Sequence, residues 1–137
     1  MGGIHLQGID HIGIAVRSIE ETIGYYTEHL KMKHICTETI PRQGVRVAIL
    51  DAGNCKIELL EPLTPESPVQ TFLKKRGEGL HHIALKTAEM KQAMKEMEKE
   101  GIQFVQNEPQ EGAMGKRVIF IHPRSSHGVL VELCEKR

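Results

Sequence analysis

The chain has 137 residues, of which 39% are hydrophobic and 26% charged, with 18 Lys and Arg against 18 Asp and Glu. This composition excludes intrinsic disorder for most of the chain, and the zero formal net charge excludes the basic surface of a nucleic-acid-binding protein. The length favours a single domain covering residues 1–137.

The sequence also predicts a cytoplasmic protein with no membrane partner. No apolar run approaches the roughly 18 residues needed to cross a bilayer, and Met1–His5 lacks the charged and apolar regions of a secretory signal. Cys36, Cys55 and Cys134 are odd in number and form no C-x-x-C pair, so the sequence indicates neither a disulfide framework nor a thiolate zinc site. We expect these cysteines to be small buried hydrophobic residues.

The first half of the chain predicts a strand, a helix and two further strands. Between His11 and Val16 every second residue is a large apolar one, which predicts the strand. Ser18 followed by Glu21 is a capping box that begins an amphipathic helix of about three turns. The helix stripe consists of Ile19, Thr22, Ile23, Tyr26 and Leu30. Short β-rich runs follow at residues 44–49 and 56–61.

The second half repeats this order after a linker at about residues 64–78. A strand at residues 79–85 precedes a helix whose buried stripe is Met90, Ala93, Met94 and Met97 and which ends at Gly101. Two strands follow at residues 115–120 and 130–135. The methionines at this helical spacing are predicted to be core residues, and the modules are predicted at about residues 8–63 and 79–135.

The two halves align on polar residues of matching type. Gly8–Ala15 is echoed by Gly79–Leu85, which places His11 opposite His82 in the alignment. Lys56–Glu61 is echoed by Leu130–Glu135, which aligns Glu58 with Glu132. Strand alternation then puts His11, Glu58, His82 and Glu132 on the sheet face that the helices do not cover.

These four side chains predict a metal site in a cleft. Gly13, Ala15 and Ala84 leave space on the same face, and a pseudo-twofold relation between the halves would bring both histidines and both glutamates together. Imidazole and carboxylate ligands suit Zn, Co, Ni, Mn or Fe, and the sequence does not select among them. Taken singly, each residue is better explained as a core histidine or a solvent-facing glutamate, but duplication of the whole set favours ligands.

The other histidines are weaker candidates. We interpret His5, His29, His34 and His127 as surface residues. His81 points away from His82 by alternation and is predicted to be structural, and His122 is predicted to be a turn residue at a strand end.

Several segments together resemble the vicinal oxygen chelate superfamily, and within it the methylmalonyl-CoA epimerase family. They are Ile9–His11, Arg42–Val45, Ile57–Leu63, Glu66–Pro68, Gly79–Ala84, His122–Ser125 and Gly128–Leu133. The resemblance covers nearly the whole chain and implies an α+β fold in which two βαβββ modules form a curved mixed sheet around a metal-binding cleft, with helices on the outer face.

The resemblance also implies an activity and a set of site residues. His11, Glu58, His82 and Glu132 would bind a divalent metal ion, cobalt first and Zn, Ni or Mn as alternatives, and Glu132 would also transfer protons. The substrate would be methylmalonyl-CoA, a metabolite of propionate metabolism. The protein would be a homodimeric isomerase that interconverts the (2R) and (2S) forms of this substrate.

One feature departs from the family pattern. Some members place a second acid/base carboxylate in the strand after the Gln-Gly-Val turn, whereas this chain has Val45-Arg46-Val47-Ala48 there. Glu58 is the substitute we expect, with a metal-bound water or a carboxylate elsewhere in the chain as alternatives.

Two other functions are compatible with the same fold. One is a glyoxalase (lactoylglutathione lyase), which shares the expected ligands, and the other is a non-catalytic small-molecule binding protein. Arg42, Arg46, Lys116, Arg117 and Arg124 are available for the phosphates of coenzyme A, and none of them is assigned to that role.

Overall fold

The computed structural model describes residues 6–136, so His5 lies outside the described residues. The described residues divide into two compact units, one formed by His11–His81 and the other by residues 6–10 and 82–136. The first strand contributes residues to both units, and the two modules are described in turn.

The first module contains four strands and one helix. Strand β1 spans Leu6–Ala15, helix α1 spans Ile19–Gly24 and continues as a π-helical turn over Tyr25–His29, and strands β2, β3 and β4 span Lys33–Ile40, Val45–Asp51 and Lys56–Pro62. The strand order is β2-β3-β4-β1. Strands β1 and β4 run parallel, and the other neighbours run antiparallel.

The second module repeats this arrangement after helix α2, Pro68–Arg76. Strand β5 spans Gly79–Thr87, helix α3 spans Met90–Lys99, and strands β6, β7 and β8 span Gln110–Glu111, Arg117–Ile121 and Val131–Glu135. Their order is β5-β8-β7-β6, with β5 and β8 parallel, and all eight strands belong to one mixed sheet. The α+β fold with two βαβββ modules is therefore confirmed.

Each module buries one face of its strands under its helix. In the first, Ile19 packs with buried side chains of β3 and β4, namely Ala48, Leu50, Ile57 and Leu59. In the second, Met90, Ala93, Met94 and Met97 pack against Ile119, Ile121 and Leu133. The prediction that the methionine stripe is core is confirmed, since Met90 is fully buried.

Helix α1 differs from the regular three-turn helix that the sequence predicts. The cap is as expected, because the Ser18 hydroxyl accepts a hydrogen bond from the Glu21 amide at 3.2 Å. The Thr27 hydroxyl, however, donates to the Ile23 carbonyl, the acceptor that a regular α-helical bond from the Thr27 amide would use. The chain widens there into the π-helical turn, and Leu30 is exposed rather than part of the buried stripe.

Helix α2 lies within the segment predicted as a linker. Ser67 caps it by accepting a hydrogen bond from the Val69 amide at 3.2 Å, and Pro68 occupies its first turn, where the missing N–H costs nothing. Val69 and Leu73 are buried, so the segment contributes to the packing of the first unit.

Two further expectations concern single residues and membranes. Cys134 is buried as predicted, but Cys36 and Cys55 are only half-buried. Among residues 6–136, no helix combines the length and apolar character needed to cross a bilayer.

Candidate metal centre

The first module positions His11 and Glu58 side by side through a parallel strand pair. Gly13 of β1 is the register partner of Glu58 on β4, so His11, two residues earlier on β1, lies diagonally next to Glu58 on the same face. The His11 Nε2 atom is 3.4 Å from a Glu58 carboxylate oxygen. Both residues are buried, at 4% and 8% exposure, which excludes the interpretation of Glu58 as a solvent-facing residue.

The second module builds the same arrangement from β5 and β8. Ala84 is the register partner of Glu132, and His82 lies two residues before Ala84. The His82 Nε2 atom is 4.0 Å from a Glu132 carboxylate oxygen, and the two residues are 6% and 3% exposed. In each module a residue with little or no side chain, Gly13 or Ala84, is the register partner of the glutamate.

The spacing within each pair suits coordination of a divalent ion. With metal–ligand bonds of about 2.1 Å, neighbouring ligand atoms are about 3 Å apart in an octahedron and about 3.4 Å apart in a tetrahedron. The 3.4 Å in the first module matches this range, and the 4.0 Å in the second requires a small side-chain movement. His11, His82 and Glu132 form a buried set of donors that could hold a metal ion.

The strands next to the two glutamates differ in chemistry. Ile49 on β3 is the register partner of Glu58, whereas Phe120 on β7 is the register partner of Glu132. The ring of Phe120 meets the His82 ring edge-on, with centroids 5.3 Å apart. This contact restricts the orientation of the His82 imidazole in the second module.

A second pair of glutamates fixes the start of each helix to its strand. Glu61, three residues after Glu58, accepts a hydrogen bond from the Ile19 amide at 2.8 Å, and Glu135, three residues after Glu132, accepts one from the Met90 amide at 2.7 Å. Carboxylates are stabilising at helix N-termini because they complement the unpaired amides. The duplication therefore includes a structural carboxylate as well as the candidate ligand.

Strand β2 adds a carboxylate that was not among the predicted site residues to the face that carries Glu58. Glu38 is half-buried, and the Cys36 thiol donates to its carboxylate at 3.8 Å. Burial raises the pKa of the Cys36 thiol, and the neighbouring Glu38 and Glu58 carboxylates raise it further. The alternation of β2 is the signal that could have located Glu38.

Residues 10–120 match the sequence profile of the Glyoxalase/Bleomycin resistance protein/Dioxygenase superfamily. The chain belongs to this superfamily. The match covers most of the first module and the second module as far as β7, and it confirms the superfamily predicted from the sequence.

Within the superfamily, the chain is similar to methylmalonyl-CoA epimerases, which are isomerases. It is 37% identical to the human mitochondrial methylmalonyl-CoA epimerase over 130 residues, covering 94% of this chain and 74% of that protein. A solved structure of a Streptomyces coelicolor methylmalonyl-CoA epimerase variant in complex with 2-nitronate-propionyl-CoA has a TM-score of 0.91 and 38% identity, covering 96% of this chain and 99% of that one. The uncharacterized protein YqjC of Bacillus subtilis is 44% identical over 129 residues, covering 94% and 92%.

Within residues 6–136, the remaining histidines are structural or surface residues. The ring of His81 packs edge-on against Phe72 at 5.0 Å, and burial lowers the pKa of His81 to about 4, so this imidazole is neutral at pH 7. The His122 side chain accepts a hydrogen bond from the Arg124 amide and begins a short turn, as predicted. His29, His34 and His127 are exposed.

Three of the five cationic residues considered for phosphate binding are engaged within the chain. Arg46 lies 3.5 Å from Glu61, Arg117 lies 3.6 Å from Glu135, and the Lys116 ammonium donates to the Asp10 carboxylate at 2.7 Å. The other two, Arg42 and Arg124, are exposed.

Proposed function

We propose that this protein is a metal-dependent epimerase that interconverts (2R)- and (2S)-methylmalonyl-CoA. The observation that supports this most directly is the buried His–Glu pair, repeated at equivalent positions of two modules. The similarity to methylmalonyl-CoA epimerases supports the choice of substrate.

The donor set fits a divalent ion in this proposal. His11, Glu58, His82 and Glu132 would hold it through two imidazole nitrogens and two carboxylates, a set without thiolate that suits Co, Zn, Ni or Mn. Cobalt is our first choice, on the resemblance to the family. When bound, such an ion supplies Lewis-acid stabilisation of negative charge on a substrate oxygen.

The reaction requires a substrate with an acidic C–H bond and general bases that remove and return its proton. The substrate carbon lies between a thioester and a carboxylate, so its proton is weakly acidic, and removal of that proton leaves a planar enolate. The Glu132 carboxylate takes the proton on one face, and protonation on the opposite face gives the other epimer. Each well-placed general base contributes on the order of 10²- to 10⁴-fold in rate. The 3% exposure of Glu132 keeps bulk water from competing for the proton.

Solvent isotope exchange tests the proposal directly. Cobalt-loaded protein is incubated with methylmalonyl-CoA in deuterium oxide, and deuterium entering the carbon between the two carbonyl groups is followed by mass spectrometry. We expect exchange with the loaded protein and none after chelation of the metal. If metal content is verified and exchange is still absent, the proposed reaction is wrong, and the glutathione hemithioacetal becomes the next substrate to assay.

The proposal includes a single-domain homodimer that binds an acyl-CoA. Light scattering of the purified protein measures its oligomeric state, and a mass corresponding to one chain would remove the dimer from the proposal. The exposed Arg42 and Arg124 are the first residues to mutate when contacts to the phosphates of coenzyme A are mapped.

A further inference from the structure

The buried β3 side chains on the face that carries Glu58 are all hydrocarbon. Val45, Val47 and Ile49 are 2%, 1% and 0% exposed. They alternate along β3 on the side that Ile49 shares with its register partner Glu58. An epimerisation needs a proton acceptor on each face of the enolate, so any additional base in this module must come from another strand.

The strand pairing places Glu38 on this face. Glu38 on β2 is the register partner of Val47, and Cys36 is the register partner of Ile49. Register partners in an antiparallel pair point to the same side of the sheet. Glu38, Val47, Ile49 and Glu58 therefore share one face across three adjacent strands.

The environment of Cys36 agrees with this placement. Its thiol donates to the Glu38 carboxylate, and both Glu38 and Glu58 raise the pKa of the thiol in addition to its burial. One side chain of β2 is thus within electrostatic reach of both carboxylates. Because the thiol stays neutral, it acts as a hydrogen-bond donor toward Glu38 rather than as a competing anion.

Glu38 and Glu58 flank β3 on one face of the sheet. Glu38 and Glu58 are two strands apart laterally and two residues apart along the strands, which corresponds to about 12 Å between their Cα atoms in a regular sheet. Val47 and Ile49 lie between them in the strand register. Asp51, the acidic residue of β3, is exposed at the end of the strand and accepts a hydrogen bond from the Gly53 amide within a turn.

We propose that Glu38 is a second acid/base residue of the epimerase, an inference that rests on the proposed function. The Glu38 carboxylate accepts the proton as the C–H bond of one epimer breaks, and the electron pair of that bond enters the enolate. A protonated carboxylic acid on the opposite face then donates its proton to the same carbon. The reverse reaction exchanges the two roles, so no oxidant, reductant or further reactant is consumed.

Single-epimer exchange distinguishes a base from a structural residue. Each epimer of methylmalonyl-CoA is incubated separately in deuterium oxide with cobalt-loaded wild-type protein, Glu38→Gln, Glu58→Gln or Thr39→Ala. The Thr39→Ala variant is the matched control, because Thr39 is the exposed neighbour of Glu38 on the opposite face of β2. Epimer interconversion, deuterium incorporation, metal content and thermal unfolding are measured for every variant.

We expect Glu38→Gln to slow interconversion by about 10²- to 10⁴-fold while one epimer still exchanges its proton with retained configuration. Metal content and unfolding temperature should equal those of Thr39→Ala, and Glu38→Asp should recover part of the rate. Interconversion at the wild-type rate, or an equal loss of exchange from both epimers, would overturn the assignment. If only Glu58→Gln left exchange in a single epimer, the second base would be Glu58. If the wild-type protein showed no exchange with either epimer, the proposed function would be refuted, and the role of Glu38 with it.

Discussion

Replacing Glu135 by alanine should destabilise the protein more than replacing Glu61, although the two residues are equivalent in the repeat. Each carboxylate accepts a hydrogen bond from the first amide of a helix, at 2.7 Å for Glu135 and 2.8 Å for Glu61. Helix α1 has an additional cap, because Ser18 accepts from the Glu21 amide. Helix α3 begins after Glu89, whose side chain makes no capping bond to the described residues, so its start depends more on Glu135.

The expected magnitudes follow from these contacts. A hydrogen bond to a charged group contributes about 1.5–3 kcal/mol, and the partly exposed ion pairs to Arg46 and Arg117 add little. We therefore expect a loss of about 2–3 kcal/mol for Glu135→Ala. The loss for Glu61→Ala should be smaller by about 1 kcal/mol, the usual contribution of an N-cap serine.

Urea unfolding followed by circular dichroism measures these losses. Glu108→Ala serves as the control, since this carboxylate is exposed in a loop and its removal should change the free energy of unfolding by less than about 0.5 kcal/mol. Adding Ser18→Ala to Glu61→Ala should bring the total loss to that of Glu135→Ala. Equal losses for the two single glutamate variants, or a larger one for Glu61→Ala, would refute the capping argument.

The remaining predictions concern the metal, the chemistry and the core. His82→Ala should lower bound cobalt, measured by elemental analysis after dialysis, and unchanged metal content would remove His82 from the ligand set. Glu132→Gln should keep the wild-type circular dichroism spectrum but abolish turnover of methylmalonyl-CoA; full activity would show that Glu132 transfers no proton. Met90→Ala should cost about 2–5 kcal/mol in urea unfolding because Met90 is fully buried, and a loss below about 1 kcal/mol would mean that the core refills the cavity.

Strand alternation and duplication are sufficient to predict which residues share a face. Two-residue periodicity is a local property, so the sequence alone places His11, Glu58, His82 and Glu132 on the face opposite the helices. Their burial and the distances within each pair depend on register between strands distant in sequence. Local patterns carry no information about that register, so these values require the folded structure.

Other features were missed because local interactions changed the expected pattern. The Ser67-Pro68 pair is an ordinary helix start, but it lies in the segment predicted as a linker, so helix α2 was not predicted. The π-helical turn after Gly24 involves the Thr27 hydroxyl bonded to a backbone carbonyl, which apolar spacing does not report. Glu38 was overlooked because its significance comes from its pairing with Val47, a contact between strands.

The parallel pairing of the first and last strand in each module has a consequence for how the protein folds. His11 and Glu58, like His82 and Glu132, become neighbours only when nearly the whole module between them has closed. Such long-range pairing carries a loop-closure entropy cost early in folding and is typical of slow folding. Neither donor pair is therefore available to a metal ion until its module has formed, so the ion should slow unfolding while leaving the refolding rate nearly unchanged.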